Sequence, residues 1–215
     1  MVTRSEMGRG YLIALEGVDG AGKSTQAMSL AATLTRFGRR VLLTQEPTFG
    51  PVGLRLREYL AGGRRQLTPT EELDLFQSDR REHVAKTIRP ALDKGWTVIT
   101  DRYYYSSAAY QGALGIDPAE ILADSELFAP RPDLVVIFTL PLDLALTRRL
   151  EARGEASQVS EVPAYLEKVA AIYDAFEGPH LKHLDAAVSA SQVLGKLFEL
   201  SMDVLAAART GHPRT

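Results

Sequence analysis

The chain has 215 residues, 45% hydrophobic and 24% charged, with a formal net charge of -2 at pH 7 and no cysteine. That length suits one α/β domain with a full core, while the composition excludes disulfides, thiolate catalysis and thiolate-bound metals, and the charge excludes any general attraction for nucleic acid or anionic membrane. The opening MVTRSEMGRG has no apolar signal core behind it, and no run approaches the ~18 apolar residues of a membrane span, so a soluble cytoplasmic protein is expected.

Short apolar runs alternate with longer helical periods, the pattern of a parallel α/β sheet. A strand is expected over Tyr11–Leu15, then a glycine-rich turn, then a helix from near Lys23 whose apolar positions Ala27, Leu30, Ala31 and Leu34 stop before Gly38. A strand over Val41–Gln45 leads to a helix over Pro51–Ala61 and, after Pro69, to a long helical stripe through Leu73, Phe76, Val84, Ile88 and Leu92. The third strand, Thr97–Thr100, precedes helices over Tyr104–Gly112 and Pro118–Phe128. Beyond a fourth strand over Leu134–Leu140 come helices over Leu142–Ala152 and Val162–Phe176, a fifth strand over His180–Leu184 and a last helix over Ser191–Ala208. Residues 209–215, RTGHPRT, read as a frayed tail. A single domain with a five-stranded parallel sheet and crossover helices follows.

Between the first strand and first helix stands GVDGAGKST, a complete GxxxxGK[ST] phosphate-binding loop in its required context. Gly17, Gly20 and Gly22 allow the tight turn that, with Val18, Asp19, Ala21 and Thr25, aims backbone N–H groups at phosphate oxygens. Lys23 adds a point charge, and the Ser24 hydroxyl suits magnesium. The loop alone specifies nucleoside triphosphate binding and leaves ATPase, GTPase and small-molecule kinase open. There is no NKxD guanine signature and no convincing DxxG switch, so a kinase leads. Asp101, ending a strand, sits where open α/β sheets bind ligands and can orient the metal. Arg102 beside it suits a bidentate grip on phosphate. Phe76 and Arg80, four residues apart, share a helix face and can hold a flat base, although Phe76 by itself reads more readily as core.

These segments, LEGVDGAGKST, LFQSDRREHV and DRYYYSSAAYQG, together with IRPALDKG, RPDLVVIF and LDA, resemble the thymidylate kinase family in order from Leu12 to about Phe198. The resemblance implies a three-layer P-loop NTPase fold with helices on both sheet faces and a short lid at about 148–162. It also implies a homodimer, Mg-ATP as donor and dTMP as acceptor. By the same resemblance Phe76 stacks on thymine, Arg80 hydrogen-bonds its carbonyl edge, Gln111 and Ser107 offer polar groups, and Tyr110 crowds the sugar 2′ position. Arg102 grips the acceptor phosphate and Asp19 lies near the acceptor 3′-hydroxyl. Family members divide by whether a catalytic arginine lies in the phosphate loop or in the lid; the loop position here is Gly20. Of the lid-helix arginines Arg148, Arg149 and Arg153, the last two match the basic lid positions.

Two departures stand out: Ser157 and Gln158 replace a lid Asp-Arg pair, and Gln45-Glu46-Pro47 replaces Arg-Glu-Pro. Glutamine cannot give the permanently charged fork of arginine. A kinase with a different acceptor, and a nucleotide-binding paralogue without turnover, therefore stay open from the sequence.

Overall fold

The computed structural model describes residues 9–62, 65–153 and 163–207, without the side chains of residues 149, 150, 152, 153 and 207. Five parallel strands, β1 (Tyr11–Gly17), β2 (Val41–Gln45), β3 (Thr97–Asp101), β4 (Leu134–Thr139) and β5 (Leu181–Asp185), lie in the order β2-β3-β1-β4-β5. Strand β1 is buried throughout and β4 nearly so, as the continuous apolar runs YLIAL and LVVIF require of strands covered on both faces. The edge strand β2 is half-exposed.

The helices around the sheet are α1 (Lys23–Arg36), α2 (Pro51–Ala61), α3 (Pro69–His83), α4 (Arg89–Asp93), α5 (Tyr104–Gly112), α6 (Pro118–Glu126), α7 (Leu142–Arg153), α8 (Pro163–Ala175) and α9 (Ala190–Ala207). Helix α1 packs on α9, whereas α5 packs on α3, α6 and α8 and against β1. Helix α3 starts where a Thr68/Glu71 capping box and Pro69 at its first turn satisfy and preset the terminus.

The long stripe expected after Pro69 is one rod with a flaw. Val84–Ile88 forms a π-helical turn between α3 and α4, in which the Arg89 N–H bonds the Val84 carbonyl. Pro90 explains it: proline has no N–H for the α-helical ladder, and its ring crowds the carbonyl one turn back, which widening the helix relieves. Helix α6 ends at Glu126 and not at Phe128, shortly before Ala129, which Pro130 disfavours in helical geometry. The other boundaries agree with expectation within one or two residues, β3 being extended to include Asp101 and β1 to include Gly17. The lid expectations at Ser157 and Gln158 and the tail at 209–215 lie outside the described residues.

Candidate active site

The site grows from the C-terminal ends of two neighbouring strands. Strands β1 and β3 pair with Leu15 opposite Asp101, so the phosphate loop and the Asp101-Arg102 pair leave the sheet side by side. Gln45 of β2 pairs with Asp101 from the other side.

Gly20 and Gly22 have φ of 86° and 87°. At Gly20 the loop also passes so close to α7 that a Cβ would lie 2.1 Å from the Ala145 carbonyl oxygen, so only glycine fits there. Lys23 is buried, and its ammonium donates to the Val18 carbonyl at 2.8 Å, inside the loop's own curve. Burial, helped by the Arg102 charge and opposed by Asp19, Asp101 and Glu16, pulls the Lys23 amine down to about 8. Ser24 Oγ donates to Asp101 Oδ2, and the buried Asp101 Oδ1 has no hydrogen-bond partner. A hydroxyl and a carboxylate with a spare oxygen form a hard-oxygen pair suited to Mg2+, which takes its other ligands from water and nucleotide phosphates. Among the described residues no group of three or more His, Cys, Asp or Glu side chains forms a metal cage.

Arg102 adopts φ 71°, rare for a side chain of its size. Its guanidinium donates to Asp19 Oδ1 at 2.6 Å, to Ser106 Oγ at 2.8 Å, to the Gly17 carbonyl at 3.2 Å and to the Tyr110 hydroxyl at 3.3 Å. The acid in the phosphate loop thus has its compensating cation. Asp19 and Arg102 open into a pocket lined also by Pro47, Leu60, Phe76, Ser107, Tyr110 and Gln111. Phe76 is half-buried in that wall, not in the core. Arg80 lies behind the wall, wholly buried, donating from Nε to Glu46 (2.8 Å) and from Nη2 to Ser107 Oγ (3.0 Å); its Nη1 has no partner. Gln111 Oε1 is likewise buried without a partner.

The structure therefore brings Asp19, Lys23, Ser24, Asp101 and Arg102 together at the adjacent ends of β1 and β3, and Phe76, Ser107, Tyr110 and Gln111 to the adjoining pocket. Thr25 is exposed at the start of α1. Arg148 is held on the loop after β5, donating to the Ala186 carbonyl at 2.7 Å. The side chains of Arg149 and Arg153 lie outside the described residues.

Sequence reading missed the buried acids Glu16, Glu46 and Glu72. Glu16, at the end of β1, accepts from the Tyr103 N–H (2.8 Å), Ser106 Oγ (2.6 Å) and the Tyr173 hydroxyl (3.1 Å), and so supports both the backbone after Arg102 and a partner of its guanidinium. Burial pushes its carboxyl up to about 7, against the pull of Ser106, Arg102 and the other donors. A glutamate inside an otherwise apolar central strand was the available signal. Glu46 ties Arg80 to His83. Glu72 lies four residues before Phe76 on the same helix face, a spacing that was legible.

Residues 15–196 match the family model described as thymidylate kinase. The chain is 46% identical over 184 residues to a protein named thymidylate kinase from Desulfotalea psychrophila, covering 86% of this chain and 90% of the relative. A protein of the same name from Xanthomonas campestris is 46% identical over 197 residues, covering 92% of this chain and 85% of its own length. One from Brachyspira hyodysenteriae is 44% identical over 179 residues, covering 83% and 87%.

Proposed function

The chain belongs to the thymidylate kinase family, and from that membership and its site we infer that it transfers the γ-phosphoryl group of ATP to the phosphate of dTMP, giving ADP and dTDP. The observation that carries the reading is the single pocket in which Phe76, Ser107, Tyr110 and Gln111 line a base-sized space ending at Arg102 and Asp19, beside the phosphate loop.

In this proposal the loop backbone from Gly17 to Thr25 cradles the ATP phosphates, and Lys23 exchanges the Val18 carbonyl for phosphate oxygens. Arg102 holds the acceptor phosphate, and Asp19 keeps that guanidinium oriented while facing the sugar 3′-hydroxyl. Phe76 stacks on the base; Arg80, reaching from behind the wall with its unused Nη1, meets its carbonyl, and Gln111, with its unused Oε1, meets its ring N–H. Tyr110 excludes a 2′-hydroxyl. Ser24 and Asp101 hold Mg2+, which when bound neutralises the phosphate charge. Arg149 and Arg153, from a lid at about 148–162, supply the positive charge that Gly20 cannot, stabilising the transferring group. Catalysis is then alignment and charge, with no covalent step on the protein.

We further propose a cytoplasmic homodimer. A cytoplasmic location suits an enzyme that acts on free nucleotides, and exposed Met28, Leu43 and Phe49 line one cleft at the open β2 edge, a face a second copy would cover. Sedimentation at micromolar concentration tests this; a monomer refutes it.

The activity is tested by ADP release with Mg-ATP against dTMP, dUMP, dCMP, UMP, CMP, AMP and GMP, with product identified by mass. Selective formation of dTDP is expected. No dTDP would overturn the reading.

A further inference from the structure

Gln111 is a two-ended reader: one end of its amide accepts a hydrogen bond and the other donates. Which end faces the pocket decides which base edge is welcome. Glu72, from the first turn of α3, is 1% exposed and lines the same pocket. Its carboxylate is met by donors alone: the Tyr59 hydroxyl at 2.7 Å on Oε2, Gln111 Nε2 at 2.8 Å on Oε1 and Arg65 Nη1 at 3.5 Å on Oε1.

We propose that Glu72 is a specificity-determining positioning residue, fixing the Gln111 amide with its NH2 turned away and its carbonyl oxygen toward the base. The proposal rests on reading this pocket as the base site. A carboxylate with three donors around it can only accept, so Gln111 keeps its Nε2 on Glu72 and leaves Oε1, buried and without a partner, for the ligand. That oxygen takes a hydrogen bond from a pyrimidine whose ring N3 bears a proton, as in thymine and uracil. Cytosine brings a bare lone pair to the same place, and two acceptors then face each other with no proton between them. Rejecting a ligand that leaves a buried polar group unpaired is the strong form of discrimination available to a binding site. The carboxylate does this without touching the nucleotide.

The substitution Glu72→Gln replaces an acceptor-only neighbour with one that can also donate, so Gln111 can turn its Nε2 to the pocket without losing its partner. The experiment measures kcat/KM for dTMP, dUMP and dCMP in the wild-type protein and in this variant, with binding of each monophosphate measured by calorimetry in the absence of ATP. The dTMP/dCMP ratio is expected to fall by about tenfold or more in both measurements, chiefly through a lower KM for dCMP. The dTMP/dUMP ratio is expected to stay within about twofold, since both bases carry the ring proton. A role confined to packing α3 against α5 would move both ratios together or neither.

An unchanged dTMP/dCMP ratio in E72Q, in a wild-type enzyme that prefers dTMP, overturns this inference and leaves the base site standing. A wild-type enzyme indifferent between dTMP and dCMP overturns the base-site reading and this inference with it. Should E72Q fail to fold, Gln111→Leu serves instead: losing the amide is expected to collapse the same ratio, and an unchanged ratio overturns the proposal.

Discussion

Glu16→Gln removes an ionisable group from the wholly buried end of β1 while keeping its shape. The carboxyl titrates near 7 where the ordinary value is 4.5, because burial outweighs its hydrogen bonds and the Arg102 charge. A raised carboxyl means that the folded state holds the proton more tightly than the unfolded chain, so between these values unfolding releases a proton and stability falls as pH rises. Each tenfold difference in proton affinity is worth about 1.4 kcal/mol, so Glu16 ionisation costs the fold about 3 kcal/mol by the time the pH passes 7. The assay is urea denaturation of wild type and E16Q at intervals from pH 4 to 8, read as the difference in unfolding free energy. Wild type should lose about 3 kcal/mol relative to the variant across that range, most steeply between 4.5 and 7. Lys23, whose amine titrates between about 8 and 10.5, lies outside the window and acts in the opposite direction. A difference that stays flat within about 0.5 kcal/mol, or that grows with pH, would refute the placement of a titratable carboxyl in that enclosure.

Lys23→Ala should cut kcat by about 100- to 1000-fold through loss of charge at the transferring phosphoryl group; steady-state rates near wild type would sink the phosphate-loop assignment. Gly20→Ala forces a Cβ against the Ala145 carbonyl at a residue with φ 86°, and should lower stability by about 1–3 kcal/mol. An unchanged melting temperature by calorimetry would count against that close approach. Arg153→Ala should lower kcat far more than it changes dTMP affinity, whereas an effect confined to KM would make the residue a binding group.

The sheet was legible because buried parallel strands leave uninterrupted apolar runs, and the phosphate loop because its glycines and lysine have no substitute in that geometry. Phe76, Arg80 and Gln111 were legible as candidates, but their division of labour was not. Helical spacing puts Phe76 and Arg80 on one face, yet cannot say that the phenylalanine lines the pocket while the arginine stands behind it on Glu46 and Ser107. Glu16, Glu46 and Glu72 escaped for a shared reason. An acid in a sequence is by default solvated, and only the fold shows the donors that converge on it, contributed from as far as Tyr173. The π-helical turn escaped differently: Pro90 announced a break, but a break and a widened turn look alike in a pattern of apolar residues.

The pairing of β1 with β3, Leu15 against Asp101, separates two kinds of inheritance in this molecule. Phosphoryl chemistry is mounted on adjacent strand ends, where a shift of one residue would turn every side chain over and ruin the core. In the proposed reading the acceptor's base is met by side chains on α3 and α5, two helices that touch each other and can trade volume for volume. Variation can therefore accumulate on the reading surface while the transfer machinery stays frozen, so a change of nucleotide preference is a short mutational walk and a change of reaction is not.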